Sequence, residues 1–306
     1  MAAIALHIDY PLKLSTEGVL TLDDIKLKQH LTQQLNYSQT DASTLVVKIS
    51  SLVREDKKSV LMTVAERETP HLVNVILQSV DPSERLRFIQ IQAGGVRGLH
   101  IIAQCHLETY RQILQSVSSD DERLQLLQMK NSNCWTVLHH AAVISATEIV
   151  QVILESVSEE ICYTLLSMEN NKWTPIHVAC MQRSSEVLEM MMRLITVEIR
   201  YKLLQLPAEF GYTPLHWSAL WGHTQHIRVI ADSVSSQQLL HLLRITDDKI
   251  RTPLQLAAED NDQAIVDLLR EYQTKALIDV ALRHADESGE NFPGRTIIAC
   301  NVILTD

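Results

Sequence analysis

Apolar residues in this chain fall in short blocks with helical spacing. Ile149, Val150, Ile153 and Leu154 fall on one face of a helix. The run SDDERLQLLQMKN (119–131) is polar except for a leucine pair near its end, and Asp120 and Asp121 suit a first helical turn, where the helix dipole favours negative charge. None of these blocks carries an apolar face wide enough to be stable alone, so each predicted helix must bury itself against neighbours. The first forty residues do not share the later pattern. LTLDDIKLKQHLTQQL (20–35) predicts an amphipathic helix with an acidic start, residues 42–53 predict another, and a last helix is expected at about 274–285.

The blocks recur at a fixed interval. Thr136-Val137-Leu138-His139, Thr174-Pro175-Ile176-His177, Thr213-Pro214-Leu215-His216 and Thr252-Pro253-Leu254-Gln255 begin 38, 39 and 39 residues apart. The same step backwards reaches Arg97-Gly98-Leu99-His100, and a further step reaches Ser59-Val60-Leu61-Met62. Two further marks keep the period. One is a Ser-Val or Thr-Val pair, at Ser79-Val80, Ser116-Val117, Ser156-Val157, Thr196-Val197 and Ser233-Val234. The other is an apolar pair about ten residues before each Thr position, at Phe88-Ile89, Leu126-Leu127, Leu165-Leu166, Leu203-Leu204 and Leu242-Leu243. A period of this size predicts an all-α stacked array of one supersecondary unit. Each unit reads as two helices and a shorter third. Pro175, Pro214 and Pro253 suit the first helical turn, where a missing N–H costs nothing.

TPLHWSALWGHTQHI (213–227), with TVLHHAAVISATEIV (136–150) and TPIHVACMQRSSEVL (174–188), resembles the ankyrin repeat. The resemblance covers 59 to about 272, in six units starting near 59, 97, 136, 174, 213 and 252. The first two are degenerate and rest mainly on spacing. These units exceed the usual 33 residues, and an extra short helix is expected where the β-hairpin finger would begin. HEAT-type repeats match the length but leave Thr-Pro-Leu-His unexplained. The organisation expected is an N-terminal helical cap or extra segment (1–40), an ankyrin-like solenoid (41–285), and a linker with a strand-like tail (286–306). The tail TIIACNVIL (296–304) could pair with AAIALHI near the start, or mark a further domain.

The resemblance implies that the Thr hydroxyl and His ring of each motif hold the turn to its first helix. Leu138, Ile176, Leu215, Leu254 and Trp217 are expected in the core. Ala141, Ala142, Ala179, Ala219, Ala257 and Ala258 are expected where helices approach closely. It also names exposed concave positions, one before each Thr and seven and eight after it. In the middle units these are Trp135, Val143, Ile144, Trp173, Met181, Tyr212, Leu220 and Trp221, aromatic and apolar where solvent is expected. Contiguous exposed apolar surface marks interaction sites, and Trp and Tyr dominate binding hot spots. The competing reading buries these side chains under the extra leucine-pair segment. The last unit ends in Glu259-Asp260-Asn261-Asp262, which reads as a solvated capping face.

Net charge is −10 and no basic stretch exceeds two residues, which argues against a nucleic-acid footprint. No apolar run reaches membrane-spanning length, and the start lacks a charged leader. Five scattered cysteines fit reduced thiols inside a cell. The histidines recur one per unit, too far apart to converge on a metal, and His223 and His226 lack a second pair. Gly289–Thr296 imitates a phosphate loop with Arg295 for Lys, but a helix precedes it and a strand-like run follows, the reverse of what phosphate binding needs. No cofactor and no catalytic residue is expected. The reading is a protein-binding scaffold, with a spacer or regulatory region of a larger protein as the alternative; partner identity and oligomeric state stay open.

Overall fold

The computed structural model describes residues 11–14, 20–55, 60–66, 70–92, 95–117 and 119–287. The phosphate-loop imitation, the strand-like tail and AAIALHI lie outside them. The chain divides into two compact units, up to Val137 and from Leu138 onward.

The first unit opens with a two-stranded antiparallel hairpin, β1 (Leu12–Leu14) and β2 (Leu20–Leu22), in which Leu12 faces Leu22. Leu12 also bridges Val80, its N–H donating to the Ser79 carbonyl at 3.3 Å. The start of the 20–35 segment is therefore strand, and helix α1 runs from Asp24–Gln33. Asp23 stops the helix from extending backwards: its carboxylate accepts the N–H groups of Ile25 and Lys26, both at 3.1 Å, which otherwise have no helical acceptor. Helix α2 (Gln39–Glu55) covers the predicted 42–53 helix. Two helix triplets follow: α3 (Val60–Glu66), α4 (Pro70–Gln78) and α5 (Pro82–Gln92), then α6 (Gly95–Cys105), α7 (Leu107–Ser116) and α8 (Asp120–Leu127). The degenerate sequences starting near 59 and 97 thus adopt the same triplet as the specific ones. Like packs on like: α3 on α6, α4 on α7 and α5 on α8.

The second unit repeats this arrangement. Helix α9 (Val137–Val143) leads α10 (Thr147–Glu155) and α11 (Glu159–Ser167). Then come α12 (Pro175–Met181), α13 (Glu186–Arg193) and α14 (Val197–Leu204), and α15 (Pro214–Leu220), α16 (Thr224–Asp232) and α17 (Ser236–Arg244). The last repeat has two helices, α18 (Pro253–Glu259) and α19 (Gln263–Glu287). The separate helix expected at 274–285 is instead the second half of α19. A continuous helix there packs on α16, α17 and α18 together, and is tied to them by Ser236 Oγ on Asp279 (2.6 Å) and Tyr272 Oη on Asp232 (3.2 Å).

The extra helix of each repeat is built around its apolar pair. Phe88-Ile89, Leu126-Leu127, Leu165-Leu166, Leu203-Leu204 and Leu242-Leu243 are all buried. Each such side chain contributes roughly 1.5–3 kcal/mol on leaving water. The serine marks are C-terminal stops for the second helix. Ser79, Ser116, Ser156 and Ser233 each donate a hydroxyl to a carbonyl three or four residues back, at 2.7–2.8 Å. Thr196 is out of this register: it is the N-cap of α14, and Leu194 closes α13. Arginines in the third helix tie successive repeats together. Arg85 donates to the Ser116 carbonyl at 2.9 Å, and Arg200 to the Ser233 carbonyl at 3.1 Å.

The expected core is present except at the last repeat. Leu138, Ile176, Leu215, Trp217 and the alanines 141, 142, 179, 219 and 257 are buried, but Leu254 is only half-buried and Ala258 is exposed. No further first helix follows α18 to cover them among the described residues.

In place of a β-hairpin finger, each third helix is joined to the next Thr by a tight turn. The closing bonds are Asn131 N–H to the Trp135 carbonyl, Asn170 to Trp173, Ala208 to Tyr212 and Asp247 to Arg251, all 2.8–2.9 Å. The residue two before each Thr is left-handed: Cys134, Lys172, Gly211 and Ile250 have φ between 59° and 72°.

The Thr-x-x-His motif latches one repeat to the next. His177 Nε2 lies 3.0 Å from the Leu206 carbonyl, and His216 Nε2 3.0 Å from the Arg251 carbonyl. A carbonyl only accepts, so Nε2 carries the proton. Nδ1 is then a bare acceptor, which takes the Thr hydroxyl at 2.8 Å and the Thr N–H at 3.3–3.4 Å. His100 and His139 reach the Trp135 and Trp173 carbonyls in the same way, both at 3.0 Å. Thr252 is followed by Gln255, which caps its own turn (Thr252 N–H to Oε1, 2.9 Å). Burial lowers His177 to about 4, against weaker opposing hydrogen bonds, and lowers His216 also.

Two predictions follow from these contacts. A Cβ on Gly211 would stand 2.6 Å from Asp248 Oδ1 and 2.8 Å from its backbone nitrogen, at φ +72°. Gly211→Ala should therefore lower unfolding stability by about 2 kcal/mol in urea titrations, and a change under about 0.5 kcal/mol would contradict it. The unfolded chain binds a proton at His177 below the ordinary histidine value of 6.5, whereas the folded chain does so only near 4. Stability from this site is complete above the unfolded value and falls as pH drops from there towards 4, by on the order of 3 kcal/mol. His177→Gln, which keeps the cap as Gln255 does, should flatten that part of the stability–pH curve; an unchanged slope would count against it.

Candidate functional site

The first helices of the second unit are short because a Thr cap begins them and a turn ends them. Their last residues are consequently left at the rim of the packed layer. Val143 ends α9 and Ile144 follows it; they are 36% and 38% exposed. Trp221 is the C-cap of α15 and is 52% exposed. Met181 and Leu220, the last residues of α12 and α15, are half-buried.

The residues before each Thr behave differently. Trp173 is half-buried and packs against Trp217 with ring centres 4.5 Å apart. Tyr212 was expected in solvent, but it is 8% exposed. It lies edge-on to Trp217 at 5.1 Å and stacks on His216 at 5.7 Å with 7° between the rings. Trp217 is therefore the packing centre between two repeats, and Tyr212 belongs to that cluster. Trp135 lies in the first unit and is half-buried; its N–H donates to Asn131 Oδ1 at 3.0 Å.

Arg251 occupies the corresponding place in the last repeat. It donates to Asp247 Oδ2 (2.9 Å), Glu259 Oε2 (2.6 Å) and Tyr212 Oη (2.8 Å). Burial alone would raise Asp247, but bonds from Arg251 and from the Lys249 N–H outweigh it and hold the carboxylate below its ordinary value. Asp247 Oδ1 accepts the N–H groups of Lys249 and Arg251 at 2.8 and 2.9 Å, the role Asn131 plays in its own turn. Glu259 is thus not simply a solvated cap, because one of its oxygens is engaged by Arg251.

Two exposed apolar residues escape a reading based on motif positions. Phe210 and Ile250 are 63% and 79% exposed at the tips of neighbouring turns. The Asp248 N–H donates to the Phe210 carbonyl at 3.0 Å, which holds the two tips together. Their signal in the sequence is an apolar residue inside an otherwise polar turn, AEFGY and DDKIR.

The other reactive groups are structural. His223 donates to or accepts at the ring nitrogen Nδ1, 3.0 Å from the Cys180 carbonyl; since a carbonyl only accepts, the ring donates. His226 is buried, stacks on His223 at 4.8 Å, and is lowered to about 4, first by burial and then by the charge of His223. Burial pushes the Cys162 and Cys180 thiols up to about 11 and about 12, so neither is a thiolate near neutral pH. Among the described residues, no group of three or more His, Cys, Asp or Glu is placed to hold a metal ion, and no helix is long and apolar enough to cross a membrane.

No curated protein shows significant similarity to the chain. Residues 99–202 match the family model of ankyrin repeats, in three copies. The matched stretch contains the Thr–His latch and the helix pairs described above, and it extends from α6 to α14. Residues 99–202 are ankyrin repeats, with an additional helix that lengthens the repeat to 38 or 39 residues.

Proposed function

We propose that the second unit is a protein-binding module whose contact face is formed by the ends of its first helices. Val143, Ile144 and Trp221 are the exposed anchors, with Met181, Leu220 and Trp173 as half-buried support. Ankyrin repeats are generally protein–protein interaction modules. The observation that carries the finer reading is Trp221. A tryptophan half open to solvent forgoes much of the burial that its large ring could gain, and tryptophan is enriched in binding hot spots. Tyr212 has no contact role in this reading, because it is committed to Trp217 and Arg251. Trp135 is in the other unit and is not counted in this face.

The mechanism is preorganisation. Side chains fixed on capped helices lose little freedom on binding, so more of the contact energy appears as affinity. The face would serve as a scaffold surface and needs no reacting group.

Ile144→Asp combined with Trp221→Asp tests this. Both residues lie outside the packed core, so the melting temperature should stay near that of the wild type. A partner captured by the wild type should bind the variant at least about thirtyfold more weakly, as loss of a hot spot implies. Unchanged affinity in a folded variant would contradict the assignment.

A further inference from the structure

We propose that the last two repeats of the second unit form a docking patch for a cationic segment carrying apolar side chains. The proposal rests on the interaction-module reading and adds the chemistry of the partner. Phe210, Ile250 and Trp221 supply the apolar part, and each is more than half exposed. The turns that carry Phe210 and Ile250 are joined by the Asp248–Phe210 backbone bond. Trp221 stands at the far end of α15. The base of the Ile250 turn and the end of α18 are joined by a single side chain, because Arg251 reaches Glu259. In this repeat the turn and the helix end therefore lie within the reach of one arginine side chain.

Carboxylates surround these apolar residues. Glu209 precedes Phe210 in the same turn, and the Asp248 side chain lies against Gly211. Asp260 occupies in its repeat the place that Trp221 occupies in the one before, and the Asp262 carboxylate stands 3.1 Å from where a Cβ on Gly222 would be. Within segments 209–212, 221–222, 247–251 and 259–262 the Lys and Arg residues are Lys249 and Arg251, and Arg251 is already bonded to Asp247 and Glu259. The surplus is negative, and the whole chain carries −10. A complementary partner offers Lys or Arg to the carboxylates and apolar groups to the tips. An acidic peptide or a nucleic-acid phosphate would meet like charge.

The test uses fluorescence polarisation on the full chain with three short synthetic peptides, alternating Lys–Leu, Glu–Leu and Lys–Ser. The Lys–Leu peptide should bind, and raising the salt should weaken it. Asp248→Asn with Asp260→Asn should weaken binding about tenfold, and Trp221→Ser about thirtyfold. Should either variant fail to fold, Ile250→Ser, at an exposed turn tip, supplies the same readout. The proposal is overturned if no Lys–Leu binding occurs, if Glu–Leu or Lys–Ser binds as tightly, or if the patch variants bind Lys–Leu like the wild type. If Ile144→Asp abolishes Lys–Leu binding while Trp221→Ser leaves it intact, the interaction module stands and this patch does not.

Discussion

In two successive repeats of the second unit, those of His177 and His216, a neutral histidine ring with two committed nitrogens joins the repeat to the next. One nitrogen accepts from the threonine that starts its own helix, and the other donates to a carbonyl in the following turn. A protonated ring has no lone pair on Nδ1 for the threonine, and a ring with its proton on Nδ1 has no N–H at Nε2 to donate to the carbonyl. Both bonds exist together in one protonation state and one tautomer. Burial favours that state by disfavouring the charged ring, which is why His177 and His216 titrate low. The short first helices then inherit fixed starting points, and their far ends present side chains at a constant place.

The third helix changes what those side chains meet. Its buried apolar pair thickens the layer and replaces the finger by a tight turn. The turn forces a left-handed residue two before each threonine, and at Gly211 the neighbouring Asp248 leaves no room for a side chain. It also carries Phe210 and Ile250 outward. The thickened layer draws Tyr212 into a cluster with Trp217, yet leaves Trp221 open because that residue follows the last helical position. Packing and exposure are thus divided between residues that the repeat pattern treats alike.

Much of this was legible in the residues. A fixed step with Thr, Pro and His at constant offsets gives the triplet architecture, since each mark has a local physical role in a cap or a latch. The leucine pairs predict the extra helix for the same reason. Tyr212 was not legible, because its burial depends on Trp217 and Arg251, which stand elsewhere in the chain. Nor was the strand at Leu20–Leu22, whose partners are Leu12–Leu14. Thr196 looked like the serine marks but caps the next helix, a one-turn difference that composition does not reveal. Leu254 and Ala258 keep the motif without its environment, because no first helix packs over them among the described residues.

The most direct measurement is a long-range proton–nitrogen correlation spectrum of the histidine rings in nitrogen-15-labelled protein, recorded near neutral pH. His177 and His216 should appear as neutral rings with the proton on Nε2 and a bare Nδ1, and His177 should remain so well below the ordinary histidine range. Rings that are charged near neutral pH, or protonated on Nδ1, would show that the latch does not exist as described.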